Sequence, residues 1–191
     1  IALSPEEMGN ACEEIFMCIG NDDDVREVVS GEKGLLKSLK SGSIVVDHTT
    51  TSAKLSREMS DICSEKGVHY IDAPVSGGQA GADNGSLTIM AGGKEEPFNI
   101  ACETMSCYSK FYKLMGPSGS GQLTKMVNQI CIAGLVQGLA EGINFSQKAG
   151  LDVSSVIEVI SKGAAQSWQM ENRWETMTHD QYDHGFAVDH M

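Results

Sequence analysis

Arginine is almost missing from this 191-residue chain. Arg26, Arg57 and Arg173 are the only three, and 26 acidic residues stand against 14 basic ones, for a formal charge of −12. Nucleic-acid binding needs a basic face to neutralise phosphates, and no such block occurs. DNA, RNA and anionic membrane surfaces are therefore poor partners. A small anionic substrate stays open, because one or two placed cations suffice for it. C-x-x-C pairs are absent too: the cysteines stand at 12, 18, 63, 102, 107 and 131. No Cys/His cluster has zinc spacing, so no metal site is expected. Several cysteines lie in apolar runs (Phe16-Met17-Cys18-Ile19, Ile130-Cys131-Ile132) and read as buried free thiols of a reducing compartment. That compartment is the cytoplasm or, in a eukaryote, the mitochondrion. No clean membrane span is visible, since the most apolar stretch, Met126 to Ile143, contains Asn128, Gln129, Gln137 and Glu141.

What is present describes a folded protein, with 41% hydrophobic and 21% charged residues. Ser4-Pro5-Glu6-Glu7 starts a helix, with Ser4 as N-cap, Pro5 at N1 and Glu7 completing a capping box. Glu14 to Ile19 reads as a strand and Asp23 to Val29 as a short helix. Ser43 to Asp47 reads as a second strand. Ser52 to Lys66 places Leu55, Met59 and Ile62 on one helical face, and Val68 to Asp72 is a third strand. Short apolar strands alternating with amphipathic helices predict a parallel sheet covered on both faces. A glycine-rich loop from Pro74 to Gly85 precedes a strand at Ser86 to Ala91, a helix at Glu95 to Met105 and a last strand at Ser109 to Lys113.

After Gly116-Pro117-Ser118-Gly119-Ser120-Gly121 no strand signal returns, and a domain boundary is placed there. Gln122 to Ala149 reads as one long helix. Gly134, Gly138 and Gly142 recur along one stripe of it, which predicts close packing against another element. Val153 to Ser161 and Gln166 to Met177 complete an all-helical region.

Two stretches carry chemistry. Asp72-Ala73-Pro74-Val75-Ser76-Gly77-Gly78 lies at the carboxyl end of a predicted parallel strand, where ligands of open α/β sheets bind. Its glycines let backbone N–H groups approach an anion, and Ser76 adds a hydroxyl, which suits a substrate carboxylate. The second stretch runs from Gly116 through Gly119, Gly121 and Lys125 to Asn128 and Gln129. It is not a dinucleotide fingerprint, because no βαβ unit follows it. Instead Lys125, Asn128 and Gln129 share one helix face at i, i+3 and i+4. The positive end of the helix dipole and partial burial would both lower the pKa of a lysine there and make it usable as a general acid/base; the spacing alone fits equally a solvated lysine on an ordinary helix.

Together these stretches resemble the β-hydroxyacid dehydrogenases, a family that includes 3-hydroxyisobutyrate dehydrogenase, tartronate semialdehyde reductase and the glyoxylate/succinic semialdehyde reductases. Asp72 to Gly78 resembles the family's substrate-binding signature, with Gly85 to Gly93 following at the family's spacing. Gly119-x-Gly121-x-x-x-Lys125 resembles the start of its interdomain helix. Ser167-Trp168 and Phe186-Ala187-Val188-Asp189 are similar to further family segments. The resemblance implies a Rossmann-like parallel sheet at 1–118, lacking its first βαβ unit, followed at 119–191 by the interdomain helix and a truncated all-helical domain. It also implies NAD or NADP as cofactor, a small carboxylate substrate, and a homo-oligomer formed through the helical domain.

By position, Lys125 matches the catalytic lysine. It would take the hydroxyl proton in oxidation and return it in reduction. Asn128 or Gln129 would be its polar partner. Ser76, Gly77 and Gly78 would hold the substrate carboxylate. Ile19, Gly20 and Asp24 match a loop touching the cofactor, and Thr50 matches a threonine beside the nicotinamide ribose. Gly20 stands where many members have proline, and His48 where they have a small or apolar residue; a hydrogen-bonded loop histidine is the expectation for His48. The family's pyrophosphate-binding unit would precede Ile1 by roughly 60 residues, and further helical residues would follow Met191, so little turnover is expected of residues 1–191 alone. Two other functions stay open. One is a non-catalytic binding or dimerisation module on the same fold, which has no need of Ser76, Gly77, Gly78 and Lys125 together. The other is a 6-phosphogluconate dehydrogenase-like enzyme, whose phosphate calls for more cations than three arginines supply.

Overall fold

A computed structural model describes residues 1–182. The described residues form two compact units, which divide between Met126 and Val127.

The first unit begins with α1 (Pro5–Ala11), followed by β1 (Glu14–Met17), α2 (Asp22–Ser30), β2 (Ile44–Asp47), α3 (Ala53–Glu65) and β3 (His69–Asp72). The start of α1 differs slightly from the expected box. Ser4 accepts the Glu7 N–H, but the Glu7 carboxylate takes the Leu3 N–H, one residue before the cap. The full box occurs instead on α2, where Asn21 and Asp24 satisfy each other's backbone N–H groups. β1, β2 and β3 pair in parallel in that order, with Met17, Asp47 and Asp72 ending them side by side. Alternate strand residues feed two cores. Ile15, Met17, Val45 and Tyr70 meet Val25 and Val29 of α2 and Leu55, Met59 and Cys63 of α3. Val46 and Ile71 face the other way, with Phe98, Ala101 and Met105. Each such aliphatic side chain removed from water contributes about 1.5–3 kcal/mol, so both faces of the sheet are secured by burial.

The sheet departs from the parallel expectation after Asp72. β4 (Val75–Ser76) and β5 (Leu87–Ala91) are antiparallel, as is the bridge between Asp72 and Gly92, so one antiparallel register runs from Asp72–Gly92 to Ser76–Thr88. The connection explains the reversal. Residues 77–86 contain only the six-residue α4 (Gly78–Asp83), too short for a crossover to a parallel strand. α5 (Glu95–Met105) then leads to β6 (Ser109–Leu114), which is parallel to β5.

α6 (Ser120–Lys148) starts in the first unit and continues into the second, which adds α7 (Val153–Ile160) and α8 (Trp168–Thr178). By length and composition α6 could cross a membrane, but its first turns are fixed to strand ends by buried polar contacts, described below. In the second unit Leu139, Ile143, Val153, Ile157 and Met170 form a small core. The glycine stripe is not closely packed as expected. A Cβ built on Gly134, Gly138 or Gly142 meets nothing within 4 Å. The three glycines line an open apolar groove of about 420 Å³ between α6, α7 and the start of α8.

The cysteines are free but not generally buried. Only Cys63, on the inner face of α3, is buried; Cys12, Cys18, Cys107 and Cys131 are exposed and Cys102 is intermediate. The apolar context misled for two reasons. Cys18 lies beyond the paired part of β1, and Cys131 lies on an uncovered face of α6.

Candidate active site

Because β1, β2 and β3 are parallel, the segments that follow them emerge on one edge of the sheet. These segments carry residues 18–24, 48–52 and 73–78, and each is tied to its neighbour. His48 N–H donates to the Met17 carbonyl at 2.8 Å and Ala73 N–H to the Asp47 carbonyl at 2.7 Å. Ile19 N–H donates to Thr49 Oγ1 at 3.0 Å. Gly20 lies against the Asp24 carboxylate so closely that an added Cβ would collide with it. Asp22 accepts both the Ser52 N–H, at 3.0 Å, and the Ser52 hydroxyl, at 2.6 Å. Thr50 is left exposed between the buried Thr49 and Thr51.

Asp47 is fully buried and accepts from the Tyr70 hydroxyl at 2.6 Å and the Thr49 N–H at 2.9 Å. Desolvation raises its pKa, against these hydrogen bonds. His48 is a hydrogen-bonded loop histidine, as expected. Its Nδ1 lies 2.6 Å from the Ala73 carbonyl and its Nε2 2.8 Å from the Tyr108 hydroxyl. A carbonyl only accepts, so Nδ1 donates to it and Nε2 accepts from Tyr108. Burial holds the His48 pKa below its ordinary value.

In the glycine-rich loop, Ser76 pairs with Thr88, and Gly77 and Gly78 adopt φ of +138° and +60°. Those angles favour glycine, and at Gly77 a side chain would also press on Leu87. They turn the chain into α4, whose first N–H groups have no acceptor inside the helix.

Asp72 joins this edge to the lysine-bearing helix. It is fully buried. Oδ1 accepts the Gly119 N–H at 2.7 Å and Oδ2 the Gln122 N–H at 3.1 Å. An anion at a helix N-terminus is favoured by the dipole. Desolvation acts against this and pushes the Asp72 carboxyl up to about 6. Gly121 permits the approach: a Cβ there would lie 2.6 Å from the Asp72 carbonyl and 2.8 Å from Oδ2. Gln122 closes the junction. Its Oε1 accepts the Thr51 N–H at 3.0 Å and its Nε2 donates to the Thr49 carbonyl at 2.7 Å.

Lys125 follows one turn later and is 9% exposed. Burial lowers its pKa, and among the described residues of its own unit it has no hydrogen-bond or ion-pair partner. Asn128 and Gln129 belong to the second unit, where the Asn128 amide donates to Gln129 Oε1 at 3.0 Å. Ser167 caps α8 through the Met170 N–H at 3.1 Å, and Trp168 stacks beneath the Arg173 guanidinium. The Phe186–Asp189 segment lies outside the described residues. Sequence reasoning missed Gln122, Thr49 and Tyr108. Their partners are backbone groups or side chains 60 or more residues away in two of the three cases, and local spacing carries no signal of them.

Residues 1–118 match the NAD-binding domain of 6-phosphogluconate dehydrogenase, and residues 119–191 the NAD-binding domain of NADP-dependent 3-hydroxyisobutyrate dehydrogenase. An uncharacterised oxidoreductase of Shewanella frigidimarina is 56% identical over 190 residues, covering 100% of this chain and 65% of its own length. The 2-(hydroxymethyl)glutarate dehydrogenase of Eubacterium barkeri is 34% identical over 186 residues, 96% of this chain and 62% of its own. The crystal structure of 3-hydroxyisobutyrate dehydrogenase from Salmonella typhimurium superposes with a TM-score of 0.81 at 26% identity, covering 94% of this chain and 62% of that one. The chain thus spans less than two thirds of the relatives it matches. Matched along its whole length by these family models, and folded as these relatives fold, the chain belongs to the β-hydroxyacid dehydrogenase family.

Proposed function

We propose that the whole protein transfers a hydride between NAD or NADP and a small 3-hydroxy acid, with 3-hydroxyisobutyrate or a close analogue as substrate. The observation that carries this reading is Lys125. It is a buried lysine of lowered pKa without a partner in its own unit, on the first turns of a helix anchored to the sheet edge by Asp72 and Gln122. A lysine paired with a carboxylate would be a structural cation. One left unpaired under desolvation can exchange a proton near the operating pH.

The strand-end edge fits a nicotinamide cofactor. The Ile19–Asp24 loop is fixed by Thr49 and by the α2 cap. Thr51 Oγ1 is buried without a partner among the described residues. Ile19, Gly20, Asp24 and Thr50 would contact the cofactor, which supplies the hydride acceptor when bound. Ser76, Gly77 and Gly78 would hold the substrate carboxylate by hydroxyl and backbone N–H groups. Neutral Lys125 then removes the hydroxyl proton as the carbinol is oxidised, and the ammonium returns it to the carbonyl oxygen in reduction. Asn128 or Gln129 would orient the substrate hydroxyl. The charge of −12 is compatible, because binding relies on one lysine and a backbone cradle.

The relatives named for 3-hydroxyisobutyrate and for 2-(hydroxymethyl)glutarate support this substrate class. Self-association through the helical unit belongs to the same reading, supported by exposed Ile130, Phe145, Val159 and Trp168. So does a reducing location, supported by the free thiols. The test is a panel of small 3-hydroxy acids and semialdehydes with each cofactor and the whole protein, following formation or loss of reduced nicotinamide. No hydride transfer with any member contradicts the reading.

A further inference from the structure

Gln122 is 0% exposed, although glutamine is seldom fully buried. Its amide meets two backbone groups of one loop: the Thr49 carbonyl at 2.7 Å and the Thr51 N–H at 3.0 Å. A primary amide offers a donor and an acceptor in fixed orientation, and here both are matched as a neighbouring strand would match them. Its own N–H reaches Asp72 Oδ2 at 3.1 Å. The residue therefore joins the β2 loop, the end of β3 and the first turn of α6. Thr50 lies between the two clamped residues, and Lys125 lies three residues further along the helix. The clamped loop also holds Thr51 Oγ1, buried and unpartnered among the described residues. Such a group costs about 1–3 kcal/mol unless a ligand or water completes it.

We propose that Gln122 is a positioning residue for hydride transfer: its side-chain amide fixes the loop carrying Thr50 against the helix turn carrying Lys125. The proposal rests on the reading of Lys125 as the acid/base and of Thr50 as a cofactor contact. Gln122 touches neither reactant; it acts through the two segments it joins. Loss of the amide leaves both binding loops folded but lets their separation drift, and a small misplacement of reacting groups is costly to the rate.

The test uses Gln122→Glu and Gln122→Asn in the whole protein. Gln122→Glu keeps the shape and the acceptor for Thr51 N–H. It turns an acceptor towards the Thr49 carbonyl when ionised and a donor when protonated. The expected result is a kcat about tenfold to a hundredfold below wild type with little change in KM for the hydroxy acid. The ratio of variant to wild-type kcat should rise as pH falls and the buried glutamic acid takes up its proton. Gln122→Asn retains the amide on a shorter arm and should lower kcat with no such pH-dependent recovery. Wild-type kcat in Gln122→Asn, or a Gln122→Glu ratio that does not change with pH, overturns the proposal. Lys125→Ala is measured alongside. If it abolishes turnover while Gln122→Asn is unaffected, the acid/base reading stands and only the positioning role fails; if Lys125→Ala is fully active, the acid/base reading itself fails.

Discussion

The Asp72 carboxylate, on the last residue of β3, accepts the backbone N–H of Gly119 at 2.7 Å, one residue before α6 begins. This bond ties the end of β3 to the start of the lysine-bearing helix. Asp72→Asn exchanges one acceptor for an amide donor that faces an N–H. The variant should lose about 1–3 kcal/mol of unfolding free energy, read by urea titration. An unchanged midpoint would contradict the junction.

Two glycines of α6 should respond to alanine with opposite signs. At Gly121 the new Cβ would crowd the Asp72 carbonyl and carboxylate, and overpacking of that kind costs about 1–3 kcal/mol. At Gly134 it meets nothing within 4 Å, so Gly134→Ala should stabilise the chain by up to about 1 kcal/mol through helix propensity. Thermal unfolding of the two variants decides, and destabilisation by Gly134→Ala would show that the stripe is packed after all.

His48 should make the fold acid-sensitive. Its folded pKa lies below the ordinary 6.5 because burial disfavours the cation. The unfolded chain therefore binds the proton first. The stability that neutral His48 contributes is present above the unfolded pKa and is lost as pH falls through the folded value. The stability difference between wild type and His48→Gln should shrink on acidification. A difference independent of pH contradicts this. Tyr108→Phe removes the donor to Nε2 and should cost about 1–3 kcal/mol at neutral pH.

Local signals made much of the fold legible. The expected helix at Glu95–Met105 has the observed bounds. β2 and α3 lie within one residue of their expected bounds, since the apolar run of β2 and the Ser52 cap mark them. The reversal at β4 and β5 escaped because strand direction depends on the length of the connection, not on the residues within the strands. The Gly134–Gly142 stripe was read as a contact because spacing shows only that a close approach is allowed. Near the strand ends, the burial and lowered pKa of Lys125 were legible from its place near a helix start. The clamp of Gln122 on Thr49 and Thr51 was not, because a side chain bonding distant backbone leaves no sequence pattern.

The central claim is that Lys125 carries the proton. In wild type the oxidative rate should rise with pH as the lysine becomes neutral, with a midpoint below the usual 10.5 of a lysine. The most direct measurement is kcat for 3-hydroxyisobutyrate oxidation by the whole protein with Lys125→Ala, without and with an added small primary amine. The account predicts a loss of at least about 10²-fold that the amine partly restores. Wild-type turnover in Lys125→Ala would contradict it.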